Sequence, residues 1–247
     1  MSLPEVVSPA AWRAARIELL AEEKALTRAR DALNVKRREL PMVRIEKDYA
    51  FEGPDGAVSL LELFDGRSQL ILGHFMFEPD ASDGCPSCSA GADELSDGLF
   101  AHLHARDTTL AFVSRARLAT LEEYQARRGW TFPWYSSYRS DFNYDFHVTL
   151  DESVAPVEYN YRTKAEYERL GSPLADGDDS MEMPGTSFFL RVGDEVFHTS
   201  STYARGAEMT GGSYYFLDLT ALGRQEECEL PKGRAAAAHA ASPDFAT

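Results

Sequence analysis

A chain of 247 residues with 40 acidic and 25 basic side chains carries a net charge of -15, and such a surface repels phosphate backbones and anionic lipids. No nucleic-acid or membrane partner is therefore expected. The longest apolar run is about eight residues against the roughly twenty needed to cross a bilayer, and Met1-Ser2-Leu3-Pro4-Glu5 lacks the basic and apolar regions of a signal peptide, so the expectation is a cytoplasmic protein.

Taken in order, the sequence predicts a long helix from Ser8 to Arg38, with Ser8 as its cap and Pro9 in its first turn. Trp12, Ala15, Leu19, Leu26, Ala29 and Leu33 make a narrow apolar stripe on a charged rod. A rod of this kind packs on its own chain or forms a homodimer through the same helix of a second copy. Residues 1–48 are read as this helical arm, 49–226 as the main domain and 227–247 as a flexible tail.

After Pro41 come Val43-Arg44-Ile45 and two short strands, Tyr49 to Glu52 and Ala57 to Leu60, joined by the turn Gly53-Pro54-Asp55-Gly56. Leu60 to Phe64 reads as a helical turn stopped by Asp65-Gly66. A buried strand follows from Gln69 to Phe77, then a polar loop from Glu78 to Gly84. Beyond it, Ala92, Leu95, Leu99 and Leu103 have the spacing of one helix ending near Arg106. Thr108 to Ser114 is an interior strand, Leu118 to Arg128 a helix closed by Gly129, and Thr131 to Tyr135 a third strand. This alternation implies parallel strands with right-handed crossovers. The pattern weakens from Asp151 to Pro184, which reads as an irregular insertion with a helix near Lys164 to Leu170 and an acidic loop at 176–180. Regularity returns with a hairpin, Thr186 to Val192 and Glu195 to Thr199, turning at Gly193-Asp194.

Chemistry concentrates at Cys85-Pro86-Ser87-Cys88, where the buried strand gives way to a helix. The first turn of a helix has unpaired N–H groups and partial positive charge, which favour a thiolate over a thiol. Cys85 is the candidate nucleophile and Cys88, one turn on, the candidate resolving thiol. Carboxylates at Glu78, Asp80, Asp83, Asp93 and Glu94 oppose ionisation if they lie close in space.

The order of hairpin, strand, C-x-x-C helix, strand, helix, strand and closing hairpin resembles the thioredoxin fold in its peroxiredoxin-like branch. His74-Phe75-Met76-Phe77, Gly84-Cys85-Pro86-Ser87-Cys88, Phe142-Asn143-Tyr144-Asp145-Phe146, Val196 to Thr199 with Ser201 to Gly206, Leu217 to Thr220 and Gly223 to Glu226 carry the resemblance further. On these segments the chain is similar to a bacterial family of thioredoxin-like proteins described as predicted dithiol-disulfide oxidoreductases. The resemblance implies an α/β, three-layer thioredoxin-like fold with a central mixed sheet, to which this chain adds a long N-terminal helix and an inserted irregular segment.

It also implies a protein or small-molecule disulfide as substrate, a separate reductant, and no cofactor or metal. Thioredoxin-like proteins tend to place a proline facing the cysteines before the closing hairpin, and Pro184 stands near that place. Tyr203 and Arg205, just past the hairpin, are candidate substrate contacts, or with His198 and Thr199 they fix the return of the chain. Gly84 and Ser87 depart from thioredoxin, which has Trp and Pro there, and leave the direction of electron flow open.

Three other readings compete. Zinc would draw on the two cysteines, Cys228 and one of the histidines. A peroxiredoxin-type peroxidase would need a hydroxyl that Ser82 could supply, although Pro79 is out of register. A non-catalytic scaffold would use the arm and the aromatic residues from Trp130 to Phe146, which otherwise belong to the core. His74, within the buried strand, is read as a core histidine or as a proton acceptor for Cys88.

Overall fold

The computed structural model describes residues 3–171, 174, 180–210 and 212. Expectations for the acidic loop at 176–179, Leu217 to Glu226, Cys228 and the tail fall outside the described residues.

Helix α1 (Pro9–Arg38) begins as its sequence dictates, with the Ser8 hydroxyl accepting from the Ala11 N–H at 3.2 Å and Pro9 in the first turn. Lys36, Arg37 and Arg38 complement the negative end of the helix dipole. Trp12, Leu19, Leu26 and Leu33 of its apolar stripe are exposed. This helix belongs to one compact unit and residues 42–213 to another.

The second unit runs β1 (Val43–Arg44), β2 (Ala50–Gly53), β3 (Gly56–Ser59), a 3-10 turn (Glu62–Phe64), β4 (Gln69–His74), α2 (Pro86–Asp93), α3 (Asp97–His104), β5 (Thr108–Ser114), α4 (Leu118–Arg128) and β6 (Trp134–Ser136). Then follow α5 (Phe142–Asp145), β7 (Thr149–Leu150), β8 (Glu158–Tyr159), β9 (Arg162–Thr163), α6 (Lys164–Arg169), β10 (Met181–Glu182), β11 (Gly185–Val192) and β12 (Glu195–Tyr203).

Eight of these strands form one mixed sheet in the order β1-β12-β11-β4-β5-β6-β2-β3. Strands β4, β5 and β6 are parallel, as the strand-helix alternation requires, and β11 runs antiparallel to β4 with His74 opposite Gly185. The four neighbours β12-β11-β4-β5, built from a strand-helix-strand unit and a hairpin, are the thioredoxin-like arrangement. The fold is mixed α/β with a central mixed sheet, as expected.

Period-2 alternation sorts the sheet's core into two clusters on opposite faces, and a third, smaller one gathers Val148, Leu150, Tyr159 and Tyr203. Leu70, Leu72, Ala111 and Val113 join Phe51, Phe64, Phe142, Phe146 and Phe189 on one face. Phe75, Phe77, Ala92, Leu121, Tyr124, Phe132 and Trp134 form the other, with Cys88 and Phe112 packed against them. The aromatic run from Trp130 to Phe146 is thus mainly core. Gly73 lies opposite Phe112, whose ring occupies the space of a side chain there: a Cβ on Gly73 would stand 2.5 Å from it.

Several elements differ from expectation for identifiable reasons. The helix expected from Ala92 to Arg106 is two helices, because Ser96 caps a new one by accepting from the Leu99 N–H at 3.3 Å, and Phe100 packs inward instead of Leu99. The third strand starts at Trp134, one residue after Pro133, which has no N–H to donate. The stretch from Asp151 to Pro184 has more order than an irregular insertion: besides α6 it holds the β8-β9 hairpin, and β10 pairs with β7. On β10 the buried Glu182 carboxyl takes hydrogen bonds from Thr149 Oγ1 of β7 at 2.7 Å and from Asn143 Nδ2 of α5 at 3.3 Å; burial pushes its pKa up to about 7.

On the Leu70-Leu72 face, four side chains form a continuous hydrogen-bonded row. His74 Nε2 meets Ser187 Oγ, Ser187 Oγ meets Ser201 Oγ, and Ser201 Oγ meets His198 Nε2, each at 2.8 Å. The His74 ring stacks on Phe142 at 5.7 Å, and burial holds its pKa down at about 3. A histidine whose folded pKa is depressed binds its proton in the unfolded chain first, so stability falls as pH drops from about 6.5 towards 3. Urea unfolding should show a larger loss of midpoint between about pH 7 and about pH 4 in the wild type than in His74→Asn; equal losses would mean that His74 does not titrate with unfolding.

Candidate functional site

Strand β4 delivers the chain to the end of the sheet, where the loop from Glu78 to Gly84 returns and the Cys85 N–H donates to the Met76 carbonyl at 3.0 Å. Cys85 is the cap of α2, with extended backbone angles (φ -54°, ψ 130°), and Pro86 takes the first helical position. At a cap an oxygen of Ser or Asp normally receives the N–H groups two and three residues on. Here a sulfur stands at the cap without a formal capping bond, and the nearby Ser87 and Cys88 N–H groups act on its charge instead. The cysteines lie 4 Å apart and both are half-buried.

This geometry separates the two thiols electrostatically. Cys85 is lowered to about 6, first because the Cys88 thiol donates to it, then through the Cys88 and Ser87 N–H groups and the Ser87 hydroxyl, with burial opposing. Cys88 is pushed far up by the same bond, its proton being held by the Cys85 thiolate, and by burial. One sulfur is thus an anion at neutral pH and the other a proton donor. Ser89 fixes the turn by donating both its N–H (2.9 Å) and its hydroxyl (3.0 Å) to the Cys85 carbonyl.

The acidic neighbourhood that argued against a thiolate is partly neutralised by two adjacent arginines at the end of α4. Arg127 holds the loop just before Cys85, donating to the Asp83 carboxylate at 2.9 Å and the Ser82 carbonyl at 3.0 Å. Arg128 pairs with Asp93 at the other end of α2, and the Trp130 indole N–H donates to the same carboxylate at 3.0 Å. Sequence reasoning treated these arginines only as the end of a helix. Beside them, a cavity of 380 Å³ is lined by Asp93, Phe100, Arg128, Trp130 and Phe132.

Gly84 stands where thioredoxin has Trp because the Phe75 ring lies against it: a Cβ there would be 2.5 Å from the ring. Ser82, the hydroxyl that a peroxidase reading requires, donates to Asp83 at 2.8 Å. Pro184 directly precedes β11 and so sits at the end of the sheet where the cysteine loop leaves β4.

Tyr203 is buried with its hydroxyl donating to the Phe146 carbonyl at 3.0 Å, and Thr199 Oγ1 donates to the Phe188 carbonyl, so both fix the return of the chain. Arg205 is exposed, two residues beyond β12. His74 faces the Leu70-Leu72 cluster while Cys88 packs in the other, so the sheet separates this histidine from the dithiol. Among the described residues no three His, Cys, Asp or Glu side chains gather as a metal site.

A family model described as a bacterial protein of unknown function, DUF899, matches residues 1–241. No curated protein matches the chain. Among solved structures, a peroxiredoxin Q mutant of Xanthomonas campestris is 14% identical, with 69% of this chain and 88% of that one covered and a TM-score of 0.43. A putative thiol:disulfide interchange protein DsbE from Chlorobium tepidum is 17% identical over 45% of this chain and 79% of its own, at a TM-score of 0.35. Oxidized Prx3 from Vibrio vulnificus is 15% identical over 65% and 84%, also at 0.35.

Two measurements check the site. With a pKa of about 6, about nine tenths of Cys85 is thiolate at pH 7, so the pH profile of its alkylation by iodoacetamide should turn near pH 6 instead of near 8.5, and Cys88→Ala should move it upward. Gly84→Ala should cost about 1–3 kcal/mol in thermal unfolding because the Phe75 ring must shift; an unchanged melting temperature would show that the ring yields freely.

Proposed function

Since the chain belongs to the DUF899 family of bacterial proteins of unknown function, we propose on the geometry of its cysteine pair that it is a dithiol-disulfide oxidoreductase. The observation that carries this reading is the division of labour between sulfurs 4 Å apart, Cys85 ionised and Cys88 protonated at neutral pH. A nucleophile and a resolving thiol need those two states.

In the proposed cycle the Cys85 thiolate attacks one sulfur of a substrate disulfide. A bond forms between Cys85 and that sulfur, the substrate S–S bond breaks, and the other substrate sulfur leaves as a thiolate that takes a proton. Once Cys85 is covalently occupied it no longer holds the proton of Cys88, so the main cause of the raised Cys88 pKa disappears. Cys88 loses its proton and attacks Cys85, and the second substrate thiolate departs. Two electrons have then passed from the protein to the substrate, leaving a Cys85–Cys88 disulfide. A separate dithiol reductant returns the pair to its starting state, which suits a reducing, cytoplasmic setting. Pro184, at the same end of the sheet, is the proposed backbone contact for the substrate.

A disulfide-reductase assay with a disulfide-bonded peptide and a dithiol reductant tests the proposal. Cys85→Ser should fall to the background rate. Cys88→Ser should stall after the first attack and accumulate a mixed disulfide, visible as a mass increase by one substrate half and released by excess reductant. A Cys85→Ser protein as active as wild type would rule the reading out.

A further inference from the structure

The closing hairpin ends at the dithiol side with Gly185 opposite Tyr203, and there its ladder stops for two local reasons. Pro184, the next residue on one strand, has no N–H to contribute. Ala204, the next on the other, turns away in the left-handed region with φ 47°. Between them stands the hydroxyl of Tyr159, which accepts from the Ala204 N–H at 2.9 Å and donates to the Pro184 carbonyl at 2.8 Å. One oxygen atom thus supplies the rung that these two residues cannot make directly.

The hydroxyl is held there firmly. Tyr159 ends strand β8, pairs with Arg162 of β9, and is 3% exposed. The hairpin turns through Asn160 (φ 48°) and Tyr161 (φ 60°), the paired left-handed conformation of a tight two-residue turn. The ring packs edge-on against Tyr203 at 5.4 Å. Burial raises the phenol to about 12, so the hydroxyl keeps its proton. Tyr159 therefore joins the insertion to both strands of the closing hairpin, at the end of the sheet where β4 runs on into the cysteine loop.

We propose that Tyr159 is a positioning residue of the dithiol site, its hydroxyl bridging Ala204 and Pro184 so that the Pro184 peptide is fixed where a disulfide substrate docks. This rests on the dithiol reading above. Without the bridge, the Pro184 peptide is free to shift and a substrate must order it on binding, while the sulfur chemistry is untouched. The cost should fall on KM.

The test uses the full chain and the disulfide-bonded peptide. Tyr159→Phe keeps the ring and removes the bridge: KM should rise about tenfold, the equivalent of about one hydrogen bond, with kcat within about twofold and the Cys85 alkylation profile unchanged. Tyr161→Phe is the control, since its hydroxyl donates from the same hairpin to the Ser201 carbonyl at 3.0 Å without touching Pro184; its KM should not move. An unchanged KM in Tyr159→Phe, or an equal rise in Tyr161→Phe, overturns the positioning role while leaving the dithiol reading intact. A wild type that reduces no disulfide overturns both. Amide exchange of Ala204 in the wild type reads the bridge without substrate or variant: protection of at least about tenfold over the unfolded rate is expected, and an unprotected Ala204 amide removes the basis of the proposal.

Discussion

Everything at the candidate site depends on the position of β4 between β5 and β11. The parallel pairing with β5 sends the chain over the end of the sheet into the cysteine loop, and the antiparallel pairing with β11 starts that strand, and thus Pro184, at the same end. Had β11 run parallel to β4, Pro184 would lie at the opposite edge. The bury-both-faces composition of Leu70 to His74 commits β4 to an interior position. Gly73 makes the commitment closer, because Phe112 of β5 can lean over it only while it has no side chain.

From that frame the electrostatics follow. The acidic chain places carboxylates on both sides of the Cys85 thiol, whose pKa is nevertheless drawn down, a conflict visible from the sequence around the motif. The fold answers by ending α4 with two neighbouring arginines, one reaching the loop before Cys85 and one the far end of the cysteine helix. The Arg127–Asp83 pair is exposed and contributes little to stability. Its place is to hold the loop and offset charge near the sulfur. The Arg128–Asp93–Trp130 group, more enclosed, ties the helix to the strand-helix corner on which it packs.

What the sequence revealed was what is local. Ser8-Pro9 starts a helix, Pro54-Asp55-Gly56 turns a hairpin, Gly129 closes a helix in the left-handed region, and a C-x-x-C after a buried strand marks a helix start, all from residues within a few positions of each other. Where two local signals conflict, the less periodic one prevails in the fold: the spacing of Ala92, Leu95 and Leu99 suggests one helix, but Ser96 carries the chemistry of a cap and starts a second.

Long-range features were not legible. Tyr159 lies in a segment without apolar period and meets Pro184 and Ala204 only because the insertion folds back. The side on which His74 falls was, by contrast, available from alternation, since it shares the parity of Leu70 and Leu72, and Phe75 and Phe77 share the other.

The row of His74, Ser187, Ser201 and His198 has a consequence for where its hydrogens must be. Three bonds need three hydrogens and the hydroxyls supply two, so a single ring Nε2 supplies the third. His74 Nδ1 is buried with no partner among the described residues, and a bare lone pair is cheaper to strand there than an N–H. His74 is therefore the giver and His198 the receiver, with its own hydrogen on Nδ1. Every dipole along the row points the same way across three strands, which gives the interior of the sheet a polarity that no backbone ladder imposes.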